Sequence, residues 1–184
     1  ATGFRGLRPG VTSDGADDFL TYAGTGLFPT GAAGSEVWAL VDHTQVPAVA
    51  ASGAIFGYGG NSANDRRMTF RNAPGGVNRL NITTGTGGGS AAFGDSTVDF
   101  SGVHVVRSIF APALTTLQID GSAGVSQAAI PATGSTRSRV FANTGDTPLS
   151  YFKGTASMIA VTDILNPEQA AQMLTFLNAR GGIT

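Results

Sequence analysis

The sequence predicts an all-β fold, an antiparallel β-sandwich with one C-terminal α-helix. Three observations carry that expectation. Short apolar or alternating segments recur at roughly 8–15-residue intervals with turn residues between them, the spacing of a sandwich and not of βαβ units. Glycine accounts for 27 of 184 residues, and charged residues are only 12%, against about 25% in an average soluble domain. One stretch, close to the C-terminus, has helical periodicity bracketed by start and stop signals.

The expected strands follow in chain order. "EVWALVD" (Glu36–Asp42) is a dense apolar run, and Trp38 within it reads as core. "GAIFGYGG" (Gly53–Gly60) follows a connection containing Pro47. "RRMTFRN" (Arg66–Asn72) alternates, with Met68 and Phe70 on one side and Arg67, Thr69 and Arg71 on the other. "APGG" (Ala73–Gly76) is a turn signal, and "VNRLNIT" (Val77–Thr83) returns from it. "GTGGGSAAFGDS" (Gly85–Ser96) is rich in glycine and reads as a mobile surface loop. "GVHVVRSIF" (Gly102–Phe110) is apolar on both faces. "LTTLQID" (Leu114–Asp120) and "GVSQAAI" (Gly124–Ile130) form a hairpin, with Asp120 a turn residue and Gly121 at positive φ. "SRVFANT" (Ser138–Thr144) and "GTASMIAVTD" (Gly154–Asp163) complete the set.

The helix is expected at about 167–180. Asn166 suits the N-cap, Pro167 the first helical position, and Gln169 closes a capping box. Ala170, Met173, Leu174 and Leu177 form an apolar stripe, and Gly181 reads as the stop. No repeat or linker interrupts the chain, so residues 1–184 read as one domain.

Composition narrows function. Net charge is -1, which leaves no electrostatic footprint for nucleic acid. No apolar run approaches the roughly 20 residues of a membrane helix. Cysteine is absent, so disulfides and thiolate metal sites are excluded. Of 11 basic residues only Lys153 is lysine, and the arginines look scattered along the chain.

Taken in order, these segments resemble the concanavalin A-like, laminin G-like (LamG) jelly-roll domains. "VTSDGADDFL" (Val11–Leu20) is similar to the family's early strand and turn. "EVWALVD…GAIFGYGG" is similar to its paired core strands, and "GVHVVRSIF…LTTLQIDGS" to its central hairpin. "YFKGTASMIAVTDILNPEQAAQMLTFLNARGGI" (Tyr151–Ile183) is similar to its closing strand and helix. Val103 stands where the family usually has Trp, and "GTASMIAVTD" lacks the usual acid in the last strand. The resemblance implies a jelly roll. The fold hosts lectins, carbohydrate-binding modules, adhesion domains, lyases and hydrolases, so the site must decide function.

The paired acids of a jelly-roll hydrolase need alternate positions on one strand. The only glutamates, Glu36 and Glu168, are far apart in sequence. "YFKG" (Tyr151–Gly154) resembles a scrap of alginate lyases, but their "QIH" and "R-x-E" strands are missing. His43 and His104 do not share a zinc spacing, and His104 reads as a hydrogen-bonded structural residue. Asp14, Asp17 and Asp18 cluster, as do Asp95 and Asp99; in such turns Asp usually caps its own backbone. No cofactor or metal site is expected, with Ca²⁺ an open alternative that no specific motif carries.

Sugar contact wants an aromatic platform with amide, carboxylate and arginine donors beside it. "FGYGGNSANDRR" (Phe56–Arg67) concentrates such groups, giving Tyr58, Asn61, Asn64, Asp65, Arg66, Arg71, Asn143 and Tyr151 as candidate ligand-binding residues. The expectation is a non-enzymatic glycan-binding or adhesive module, extracellular or on a virion surface. Its partners would be a surface glycan or other surface proteins. A purely structural or capsid-decorating module is the alternative, and a polysaccharide lyase or hydrolase a distant one.

Overall fold

The computed structural model describes residues 10–14, 16–23, 28–29, 33–43, 52–59, 65–72, 78–85, 91–95, 102–128, 137–141 and 153–183. Among these residues twelve strands precede one helix: β1 (Val11–Asp14), β2 (Leu20–Ala23), β3 (Ser35–His43), β4 (Ser52–Gly59), β5 (Asp65–Asn72), β6 (Asn78–Gly85), β7 (Ala91–Asp95), β8 (Gly102–Phe110), β9 (Leu114–Ile119), β10 (Val125–Ala128), β11 (Arg137–Val140), β12 (Lys153–Thr162) and α1 (Pro167–Gly181). They form two six-stranded sheets, ordered β1-β12-β3-β8-β9-β10 and β2-β11-β4-β5-β6-β7. Every pairing is antiparallel, as expected for a sandwich.

Side chains alternate across a strand, so each strand of the first sheet serves two layers. Val37, Ala39 and Val41 of β3 point between the sheets, joining Val106, Phe110, Leu117, Ile119, Ile55, Phe56, Tyr58 and Phe141. Trp38 and Leu40 point the other way and meet Ala170 and Leu177 of α1, with Met173 and Leu174 packed beside them. The dense apolar runs of β3 and β8 follow from this: a strand between a second sheet and a helix has no solvent face.

The helix begins as its sequence requires. The Asn166 side chain accepts from the Gln169 N–H at 2.9 Å, and the Gln169 side chain accepts from the Asn166 N–H at 3.1 Å. Its end differs by one residue from expectation. The left-handed cap is Gly182, at φ 67°, and its N–H donates to the Asn178 carbonyl. Gly181 is needed for another reason: a Cβ there would sit 2.8 Å from Leu40 Cδ1. The paired glycines thus divide two tasks, turning the chain and letting the helix approach the sheet.

One expectation is corrected. Residues 91–95, read as part of a loop, form β7 on β6, in register from Gly85↔Ala91 to Asn81↔Asp95. Backbone pairing at a sheet edge tolerates Ala and Gly, because the ladder supplies the hydrogen bonds whatever the side chains. The turn in "VTSDGADDFL" carries the chain from one sheet to the other, since β1 joins β12 and β2 joins β11. There Asp14 Oδ1 accepts from the Ala16 N–H at 2.7 Å, and Asp18 Oδ2 from the Asp14 N–H at 3.0 Å. These acids cap their own backbone. The turn Ala73–Gly76 lies outside the described residues.

The Asp120–Gly121 corner is a tight turn with both residues at positive φ, 50° and 75°, closed by Ser122 N–H donating to the Ile119 carbonyl at 2.9 Å. Asp120 also staples β8. Its N–H donates to the Val105 carbonyl at 2.9 Å, and its Oδ1 accepts from the Val105 N–H at 2.8 Å. The carboxylate stands in for the carbonyl that the turning chain withdraws.

Asn166→Ala should remove the side-chain half of the capping box, the bond from the Gln169 N–H, while the backbone N–H at 166 keeps its Gln169 acceptor. The expected cost is about 1 kcal/mol, seen in calorimetry as a Tm lower by about 2–4 °C. An unchanged Tm would show that the cap contributes nothing.

Candidate functional site

Charged side chains on β3 and β8 meet beneath the helix. In register Trp38 stands opposite Arg107, and Arg107 opposite Gln118. Glu36 is fully buried, and Arg107 reaches it with Nη2–Oε1 at 2.6 Å and Nε–Oε2 at 3.1 Å. The Trp38 indole N–H donates to Glu36 Oε2 at 2.8 Å, and the Leu165 N–H to Oε1 at 3.2 Å. Four donors therefore compensate a carboxylate that burial alone would penalise heavily. The Arg107 guanidinium lies over the Trp38 ring, 4.8 Å from its centroid, and its Nη1 donates to Gln118 Oε1 at 3.0 Å. Gln118 in turn donates to the Ser122 carbonyl at 3.1 Å. A pocket of about 130 Å³ opens on this group, lined by Trp38, Val105, Arg107, Gln118, Gly121, Ala170 and Leu174.

A second group ties the sheets together. Ser35 Oγ and Tyr58 Oη lie 2.6 Å apart, and Arg66 Nη1 donates to both, at 2.9 and 3.0 Å. Arg66 Nη2 donates to the Ala33 carbonyl at 2.9 Å. Tyr58 is 0% and Arg66 3% exposed. Both were candidate ligand residues, but the structure places them inside the sandwich, where they link β4 and β5 to β3. The reason is pleat parity: alternate residues of β4 and β5 turn inward, and these two fall on the inward phase.

The opposite phase builds a different surface. Thr21, Arg139, Gly57, Arg67, Thr83 and Phe93 stand opposite one another in a row across β2, β11, β4, β5, β6 and β7. Asp65, Arg71, Arg79 and Arg137 occupy strand positions of the same phase. Arginine positions that look scattered in sequence thus share one phase of one sheet. Of the row, Arg139 is buried at 5% exposure, donates from Nε to Thr21 Oγ1 at 2.9 Å and lies 5.4 Å from the Phe19 ring centroid. Asp65 and Arg71 therefore fall at strand positions of the opposite phase to the buried Tyr58 and Arg66. Asn61, Asn64, Asn143 and Tyr151 lie outside the described residues.

His104 meets Asp120, with Nδ1 and Oδ2 2.6 Å apart at a partly exposed rim. Among the described residues no group of three or more His, Asp or Glu is placed to hold a metal ion. No described helix is long and apolar enough to cross a membrane.

The Glu36–Arg107–Gln118 group escaped sequence reading, although a signal exists. A charge set in a dense apolar strand, as in "EVWALVD" and "GVHVVRSIF", calls for an internal partner. Which partner depends on register, which one strand does not contain.

No protein-family model matches the chain, and no curated protein does. Among solved structures it is similar to the heptameric SAP-like pentraxin of Limulus polyphemus, with TM-score 0.66 and 12% identity over 91% of this chain and 79% of that one. It is similar to the Ruminococcus gnavus IT-sialidase CBM40, with TM-score 0.61 and 12% identity over 84% and 98%. It is also similar to tailspike protein 2 of Escherichia coli O157:H7 bacteriophage CAB120, with TM-score 0.62 and 16% identity, covering 91% of this chain but 24% of the tailspike. The fold is therefore a concanavalin A-like, LamG-type jelly roll with a C-terminal helix.

Removing one partner of a buried ion pair costs about 3–5 kcal/mol, whereas a rim pair is worth about 1 kcal/mol or less. Glu36→Ala should therefore lower stability in urea far more than His104→Ala. Equal losses would overturn the ranking.

Proposed function

We propose that this chain is a non-enzymatic glycan-binding module, displayed outside the cell or on a virion surface. We place its principal glycan contact on the outer face of the second sheet. The observation that carries this reading is register: Arg67, Arg71, Arg79 and Arg137 occupy strand positions of one phase of the second sheet, opposite to that of the buried Tyr58 and Arg66, with Asp65 and Asp95 the acids among the described positions of that phase. Arginine presents a planar fork that matches carboxylate and sulfate oxygens, so an acidic glycan suits the face best. Threonine positions and Asn81 add neutral hydrogen-bonding groups to that phase, and Phe93 an aromatic. Likeness in fold to a CBM40, a related structure of which is bound to alpha2,3 sialyllactose, supports the reading. The tailspike likeness supports a second one, a structural module of a larger particle with no ligand.

A glycan array with neutral and acidic members separates the two. Binding should concentrate on acidic glycans and weaken with added salt. Arg67→Ala and Arg71→Ala should each reduce affinity by roughly tenfold, the scale of one lost charge-assisted bond. Thermal stability should move little, as for surface substitutions generally. Binding to no glycan would favour the structural module, and depolymerisation of a bound polysaccharide would overturn the non-enzymatic assignment.

A further inference from the structure

A second ligand site lies on the other side of the sandwich. We infer that the pocket between α1 and the first sheet accepts the acetamido group of an N-acetylated amino sugar. The sugar part of this assignment rests on the glycan-binding reading above; the chemistry of the group rests on the pocket alone.

Charge comes first. Arg107 is already neutralised by the buried Glu36 carboxylate. A ligand carboxylate would bring an unbalanced charge into a low-dielectric site, so a neutral group is preferred. Hydrogen bonding comes second. A guanidinium carries five N–H donors. Three bonds are made by Arg107, from Nε, Nη1 and Nη2, which leaves one N–H on each terminal nitrogen. Gln118 uses one Nε2 hydrogen on Ser122 and keeps another. The acceptors are engaged: Glu36 receives bonds at both oxygens, and Gln118 Oε1 receives Arg107. The pocket thus offers spare donors and wants a ligand acceptor. Shape comes third. Val105, Ala170, Leu174 and the Trp38 ring make the remaining wall apolar. A volume of about 130 Å³ holds roughly four or five groups the size of a water molecule, at about 30 Å³ each. An acetamido group fits all three demands: a neutral carbonyl acceptor, a methyl for the apolar wall, and four heavy atoms.

The molecule carries its own reporter, because Trp38 is its single tryptophan and lines the pocket. Intrinsic fluorescence would be followed during titration with N-acetylglucosamine, glucose and N-methylacetamide. The expected result is a saturable change with N-acetylglucosamine and none with glucose. N-methylacetamide should bind about tenfold more weakly, having lost the sugar's outer contacts. Leu174→Phe, which fills the pocket, should abolish the response while glycan binding on the arginine face persists. Should that variant fail to fold, the selectivity of the unmodified protein decides. No response to either amide, or an equal response to glucose, would overturn the site. A response to N-methylacetamide as strong as to N-acetylglucosamine would overturn the amino-sugar assignment. Glycan-array binding with a silent Trp38 defeats this inference and leaves the arginine face standing; the reverse pattern defeats the glycan reading of that face.

Discussion

Strand β3 has to satisfy two cores at once, and most of the molecule follows from that constraint. It lies between β12 and β8 in the first sheet. One phase of its side chains fills the space between the sheets, and the other meets the helix. A strand buried on both faces cannot hold a charge without a partner, because the interior repays an unpaired ion with several kcal/mol of penalty. Glu36 is therefore tied to Arg107, to the indole of Trp38 and to the backbone where the chain leaves β12 for the helix. The bonds to Glu36 fix where α1 starts, and the stripe from Ala170 to Leu177 fixes which way it faces.

The two outer faces consequently differ in kind. On the first sheet the helix covers apolar residues and leaves a small pocket over a neutralised arginine. In the second sheet one phase of "RRMTFRN" and its neighbours holds a row of arginine and threonine positions. On the other phase Arg66 meets Tyr58 and Ser35 and holds the sheets together.

Much of the architecture was legible without coordinates. Alternation and turn chemistry located the long strands to within a residue or two, since burial on one or both faces leaves a periodic imprint. The capping box declared the start of the helix because its bonds are local. Asp120–Gly121 was readable as a turn for the same reason, although its second role, stapling β8 through Val105, was not. The strand β7 was missed because edge pairing needs only backbone groups, which carry no side-chain signature. Tyr58 and Arg66 were read as surface residues since polar aromatics and arginines usually are; only the pleat phase shows them turned inward.

The sequence by itself determined the class of fold, the helix with its cap, and the low charge of the chain. Each depends on composition or on neighbours within a few positions. Tertiary structure alone decided which residues share a face, that Glu36 meets Arg107 across 71 positions of chain, and that dispersed arginines gather on one sheet. The physical reason is register. A shift of one residue would turn every side chain of a strand to the opposite face, and register is set by packing between strands that no single segment encodes.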